Sequence, residues 1–99
     1  MANDVVFGLF IWDREKEILN IQRHGLDFVE ASRVFEDPHR LLSEDLGHSD
    51  IEQRYYCIGR LGLLIITVRF TRREGLIRII GAGSWRKGRK FYEEKTRSK

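Results

Sequence analysis

The sequence predicts an α+β fold: an N-terminal strand, a helical hairpin, an antiparallel three- to four-stranded meander and a basic C-terminal helix. Three observations carry that expectation. Start and stop signals for two short helices lie between Asp13 and Pro38. The β-prone runs that follow are grouped from Leu41 to Ala82 instead of alternating with helices, which is the order of an α+β chain with an antiparallel sheet. From Ser84 onward there are seven Lys or Arg against two Glu, whereas residues 1–83 carry eleven basic and thirteen acidic side chains.

Val5 to Trp12 is apolar and β-prone with a break at Gly8, and reads as the opening strand. Asp13 is placed to cap a helix, with Glu15 and Glu17 in the first turn, where the helix dipole favours anions. Arg23 and His24 occupy its last turn, and Gly25 supplies the left-handed stop. A second helix follows at once, with Asp27 as cap and Glu30 as its capping-box partner. Phe28, Ala31 and Phe35 share one face of that helix, and Asp37-Pro38 closes it.

Leu41 and Leu42 begin a short edge strand. Arg54–Ile58, Leu63–Phe70 and Leu76–Ala82 are three further strands, with turns at Gly59–Gly62 and Thr71–Gly75. Leu64, Ile66, Val68 and Phe70 alternate onto one face. The last helix is expected from Ser84, capped by Ser84 and carrying Trp85, Phe91 and Tyr92, although Gly88 weakens it.

The 99 residues suit a single domain spanning 1–99, with no internal repeat. Six Phe, three Tyr and two Trp supply core material, so global disorder is not expected. Cys57 has no cysteine to pair with and reads as a small buried residue of a strand. No apolar run reaches the ~20 residues of a membrane span, and the start lacks the pattern of a signal peptide, so a cytoplasmic location is expected. The basic terminal segment suits a polyanionic partner, the alternative being a solvated helix end.

Several chemistries find no support. There is no phosphate-binding glycine loop and no serine nucleophile elbow. His24, His39, His48 and Cys57 lack the spacing of a zinc site, so neither a metal nor a cofactor is expected. What remains is a concentration of arginine: Arg54, Arg60, Arg69, Arg72, Arg73 and Arg78 lie in or beside the strands. A guanidinium keeps its charge and grips phosphate through a planar fork, whereas surface ion pairs would absorb such residues singly. Metal-free RNA cleavage needs a base for the ribose 2′-hydroxyl, positive charge for the phosphorane and an acid for the leaving oxygen. Glu52, His48 and His24 are the acid–base candidates. Trp85, Tyr55, Tyr56 and Tyr92 are candidates to stack on unpaired bases, each with core packing as its alternative.

Short motifs along residues 10–94 resemble the BrnT family of toxins. They are Phe10-Ile11-Trp12-Asp13 with Lys16 and Asn20, then Arg23-His24-Gly25, then Phe28 through Phe35-Glu36-Asp37-Pro38. His48-Ser49 with Glu52 and Arg54 follows, then Gly59, Arg73, Arg78-Ile79-Ile80, and a basic helix ending in Tyr92-Glu93. The resemblance implies a RelE-like ribonuclease fold and an endoribonuclease that cleaves mRNA, inhibiting translation and growth. It also implies a BrnA-like antitoxin that neutralises the toxin in a heterotetramer and alone contacts promoter DNA.

By position, Glu52, Arg54, Arg73, Arg78 and His48 are the candidate catalytic residues. His24, Arg69, Arg86, Lys87, Arg89, Lys90 and Tyr92 are the candidate RNA-binding residues. One departure stands out: the family has an arginine where this chain has Gly83, and a small residue where it has Trp85. Either Arg86 reaches into the vacated space, or activity is reduced. The alternative function is accordingly a catalytically weakened homologue that keeps antitoxin binding and co-repression.

Overall fold

The computed structural model describes residues 3–48 and 52–97, the side chain of His48 excepted. β1 (Asp4–Phe7) and β2 (Phe10–Asp13) form a hairpin pairing Val5 with Trp12 and Phe7 with Phe10. The expected single strand from Val5 to Trp12 is therefore two. Its break is the turn itself, because Gly8 adopts φ +61, a left-handed conformation that costs glycine little.

α1 (Arg14–His24) begins and ends on its signals. The Asp13 carboxylate accepts the Glu15 amide at 2.8 Å, and Gly25, at φ 70, donates its amide to the Ile21 carbonyl at 2.8 Å. α2 (Phe28–Arg33) carries the reciprocal cap between Asp27 and Glu30, at 2.7 and 3.0 Å. It is shorter than the run to Phe35 suggests. A 3-10 turn, Val34–Glu36, tightens it before Asp37-Pro38.

β3 (Leu41–Glu44), β4 (Tyr55–Leu61), β5 (Leu64–Arg73) and β6 (Leu76–Gly83) make the antiparallel meander. Its turns are tighter than the sequence suggests. Gly59 to Leu61 stay in β4, and the chain reverses at Gly62-Leu63; β5 runs on to Arg73 and reverses at Glu74-Gly75. Glu74 and Gly75 both have positive φ, 52 and 80, as a two-residue hairpin with the right twist requires. Gly59 serves packing: a Cβ there would lie 3.0 Å from the Val34 carbonyl oxygen of the 3-10 turn.

The six strands form one sheet in the order β1-β2-β6-β5-β4-β3. It is mixed, not wholly antiparallel as expected, because β2 runs parallel to β6, with Phe10 beside Ile77 and Trp12 beside Ile79. Two helices carry the chain from β2 to the far edge at β3. Three hairpin reversals then bring β6 back in the direction of β2.

α1, α2 and the 3-10 turn cover one face. Phe28, Ala31 and Val34 meet Ile66, Val68, Phe70 and Ile79 there, all at 1% exposure or less. Trp12 is sealed in the same core, its indole N–H donating to Glu17 at 2.9 Å while Glu17 also accepts the Phe28 amide. α3 (Arg86–Arg97) lies on the opposite face over β4 and β5, where Tyr92 packs with Ile58 and Ile65. The helix starts two residues after Ser84, so the residue preceding it is Trp85, whose carbonyl accepts the Arg89 amide at 3.1 Å. Gly88 is the docking point: a Cβ there would collide with the Thr67 hydroxyl. No helix among the described residues is long and apolar enough to cross a membrane.

Candidate functional site

The register settles which arginines share a face. Arg69 lies opposite Gly81 on β6 and opposite Tyr56 on β4, while Thr71 lies opposite Arg78 and Arg73 opposite Leu76. A shift between Arg69 and Phe70 absorbs one extra residue, Ile80, in β6. Phe70 and Ile79 remain paired in the helix-covered core. Arg69, Thr71, Arg73 and Arg78 therefore point together to the other face, the one that carries α3.

Each arginine in this row has a distinct setting. Arg78 extends two nitrogens to Asp4, at 2.8 and 3.4 Å, an ion pair spanning 74 positions that exists because β1 and β2 flank β6. Arg73 grips Glu52 in a two-point fork at 2.7 and 3.0 Å. That hydrogen bond, helped by the charges of Arg73, Arg54 and Arg78, outweighs partial burial and holds the Glu52 carboxyl below its ordinary value of 4.5. Arg69 passes close to Gly81, where a Cβ would approach its Nη2 to 3.0 Å, and its guanidinium carbon lies over the Trp85 ring, 5.8 Å from the ring centre. Among the described residues, three buried polar atoms in this row, Arg69 Nε, Thr71 Oγ1 and Arg78 Nε, have no hydrogen-bond partner. Leaving such atoms unmatched is costly, and native structures satisfy them with ordered water, an ion or a ligand, or keep them for a functional reason.

Trp85 answers the question raised by Gly83. A Cβ on Gly83 would meet three atoms of the indole at 2.8–3.0 Å, so Trp85, not Arg86, fills the space over that glycine. His24 packs edge-on against the same indole at 5.1 Å between ring centres. The segment is anchored from beneath by Asn20 of α1. Its amide donates to the Leu26 and Ala82 carbonyls and accepts the Ala82 amide, each at 3.0 Å. A cleft of about 850 Å³ opens beside Trp85, between α3 and the sheet, with Tyr56, Arg69, Lys87, Lys90 and Phe91 on its walls.

Of the residues singled out from sequence, Glu52, Arg73, Arg78 and Arg69 are brought onto one face. The charge of Arg54 acts on Glu52. Lys87 and Lys90 line the cleft, whereas Arg86 and Arg89 are exposed elsewhere on α3. His24 sits at the Trp85 end, away from Glu52: Arg69 and Arg73 are four residues apart on β5, ~13 Å at strand spacing. His48 closes a short 3-10 turn, and its side chain lies outside the described residues. Tyr92 is buried, donating its hydroxyl to Asp37 at 2.6 Å beneath the Arg60 guanidinium. Tyr55 stacks on Phe70 on the core side.

Asp4, Thr71 and Phe91 belong to the site without having been singled out for it. Asp4 has no local signal, and Thr71 is hidden in a stretch that reads as a charged turn. Among the described residues, no group of three or more His, Cys, Asp or Glu could hold a metal ion.

Comparison with known proteins bears on this site. A family model described as "Ribonuclease toxin, BrnT, of type II toxin-antitoxin system" matches residues 12–88, taking in both helices of the hairpin and all four strands of the meander. No curated protein matches the chain. The match spans well over half of the sequence, and the chain belongs to the BrnT ribonuclease toxins of type II toxin–antitoxin systems.

Proposed function

We propose that this chain, as one toxin domain of RelE-like kind, is a metal-independent endoribonuclease that cleaves single-stranded mRNA in the cytoplasm and is neutralised by a BrnA-like antitoxin. One observation carries the reading: Arg69, Thr71 and Arg78 stand side by side with three buried polar atoms unmatched among the described residues, next to a carboxylate held ionised by Arg73. In the proposed step the ribose 2′-oxygen attacks phosphorus. The bond to the 5′-oxygen breaks, leaving a 2′,3′-cyclic phosphate and a 5′-hydroxyl. Glu52 accepts the 2′-proton, Arg78 and Arg69 balance charge on the phosphorane, and His48 protonates the departing oxygen.

The two ion pairs fit this sequence of events. Asp4 and Glu52 occupy Arg78 and Arg73 in the free protein. A substrate phosphate competing for Arg73 would weaken its hold on Glu52 and raise the proton affinity of that carboxylate when a base is needed. The antitoxin, in a heterotetramer, would carry the contacts to promoter DNA.

Arg78→Ala is expected to lower RNA cleavage by about 10²–10³-fold, the usual loss for one transition-state donor, and to abolish growth inhibition while antitoxin binding persists. A fully toxic Arg78→Ala variant would overturn the assignment. Trp85 closing the space over Gly83, where the family resemblance places an arginine, favours a second reading, a weakened toxin retained for antitoxin binding and co-repression. Inducing the chain alone and following growth and RNA integrity separates the two.

A further inference from the structure

We propose that Trp85 and the cleft between α3 and the sheet form a nucleotide subsite that stacks one unpaired base of the RNA beside the arginine row. The inference rests on the ribonuclease reading and adds where the strand lies. Of the aromatic residues suited to stacking, Tyr92 and Tyr55 are packed in the fold, leaving Trp85 and Tyr56 at the cleft, joined by Phe91.

Trp85 is held, not loose. Gly83 leaves room for one side of its indole, the Arg69 guanidinium carbon lies 5.8 Å from the ring centre and His24 abuts it edge-on, yet the residue remains 36% exposed. A held aromatic loses little freedom when a base stacks on it. Lys87 and Lys90 stand on the cleft wall as phosphate contacts for the flanking backbone. Arg69 is common to the cleft and to the row containing Thr71 and Arg78, so a strand can pass from one to the other.

The test uses the full chain and a short single-stranded RNA bearing 2′-O-methyl groups throughout, which binds but cannot be cleaved. The chain has two tryptophans, and Trp12 is buried at 1% exposure, so a ligand-dependent change in emission reports Trp85. Saturable quenching is expected with this RNA. About tenfold weaker binding without quenching is expected for an oligonucleotide of the same length lacking bases. Trp85→Phe should keep near-normal affinity, measured by anisotropy of labelled RNA, and Trp85→Ala should lose about tenfold.

Equal affinity for the abasic strand, or wild-type affinity in Trp85→Ala, would overturn the subsite. So would emission that responds to the co-purified antitoxin but not to RNA. If Trp85→Ala does not fold, the Trp85→Phe and abasic measurements decide. Cleavage of unmodified RNA is scored separately: cleavage without quenching sinks the subsite alone, and quenching without cleavage sinks the ribonuclease reading alone.

Discussion

A single position shows how a missing side chain can be structural. Gly83 leaves no room for a Cβ because the Trp85 indole occupies it. Gly83→Ala should therefore displace the indole and cost ~1–3 kcal/mol, the usual penalty of overpacking. Adding Trp85→Ala should recover much of the loss, a coupling readable in a double-mutant cycle of denaturant midpoints. Cys57 is a contrasting case, matching its reading as an inert strand residue. Burial pushes its thiol up to about 12, so alkylating reagents at neutral pH should modify it only after unfolding.

Glu52 belongs at the same scale. Its folded value is depressed, chiefly by the hydrogen bond from Arg73, so it stays ionised to a lower pH than the ordinary 4.5 would allow. Arg73→Gln removes that hydrogen bond and charge. The acidic limb of the pH profile of kcat/KM, which reports the free enzyme, should then move to higher pH; an unmoved limb there would exclude Glu52 as the base.

Among the elements, the two short helices were legible because their determinants are local. Asp13 with Gly25, and Asp27 with Glu30, act within a turn of the chain, where spacing alone decides whether the groups meet. α3 was harder. Gly88 reads as a helix breaker, with a cost near 1 kcal/mol relative to alanine. Its merit appears only on docking, where the absent Cβ lets the helix rest on Thr67. Gly88→Ala should accordingly destabilise the fold in spite of better helix propensity, and Thr67→Ala should relieve part of the effect, checked by melting temperature.

At the scale of the whole molecule, Asp37 joins parts far apart in sequence. Its carboxylate accepts the Arg60 amide at 2.8 Å, the His39 amide at 2.8 Å and the Tyr92 hydroxyl at 2.6 Å, tying the end of the helical hairpin to β4 and α3. Burial works to raise its pKa, but the hydrogen bonds from Tyr92, Arg60 and His39 together hold it below the ordinary 3.8. For a carboxylate depressed in the folded state, the stabilisation is present above the ordinary value and is lost as pH falls through the folded one. Asp37→Asn should cost ~1.5–3 kcal/mol near neutral pH and flatten the acid side of the stability profile, measured by denaturant unfolding across pH.

The sequence by itself determined what neighbouring residues decide: helix caps, strand alternation, a basic final helix, and enough spaced motifs to indicate the family. Tertiary structure decided the parallel pairing of β2 with β6, the ion pair between Asp4 and Arg78, and the shared face of Arg69, Thr71, Arg73 and Arg78. It also decided that Trp85 stands in the space over Gly83. The physical reason is range. A cap or an alternation is fixed by groups a few bonds apart, whereas a sheet face depends on register, which one extra residue in β6 is enough to change.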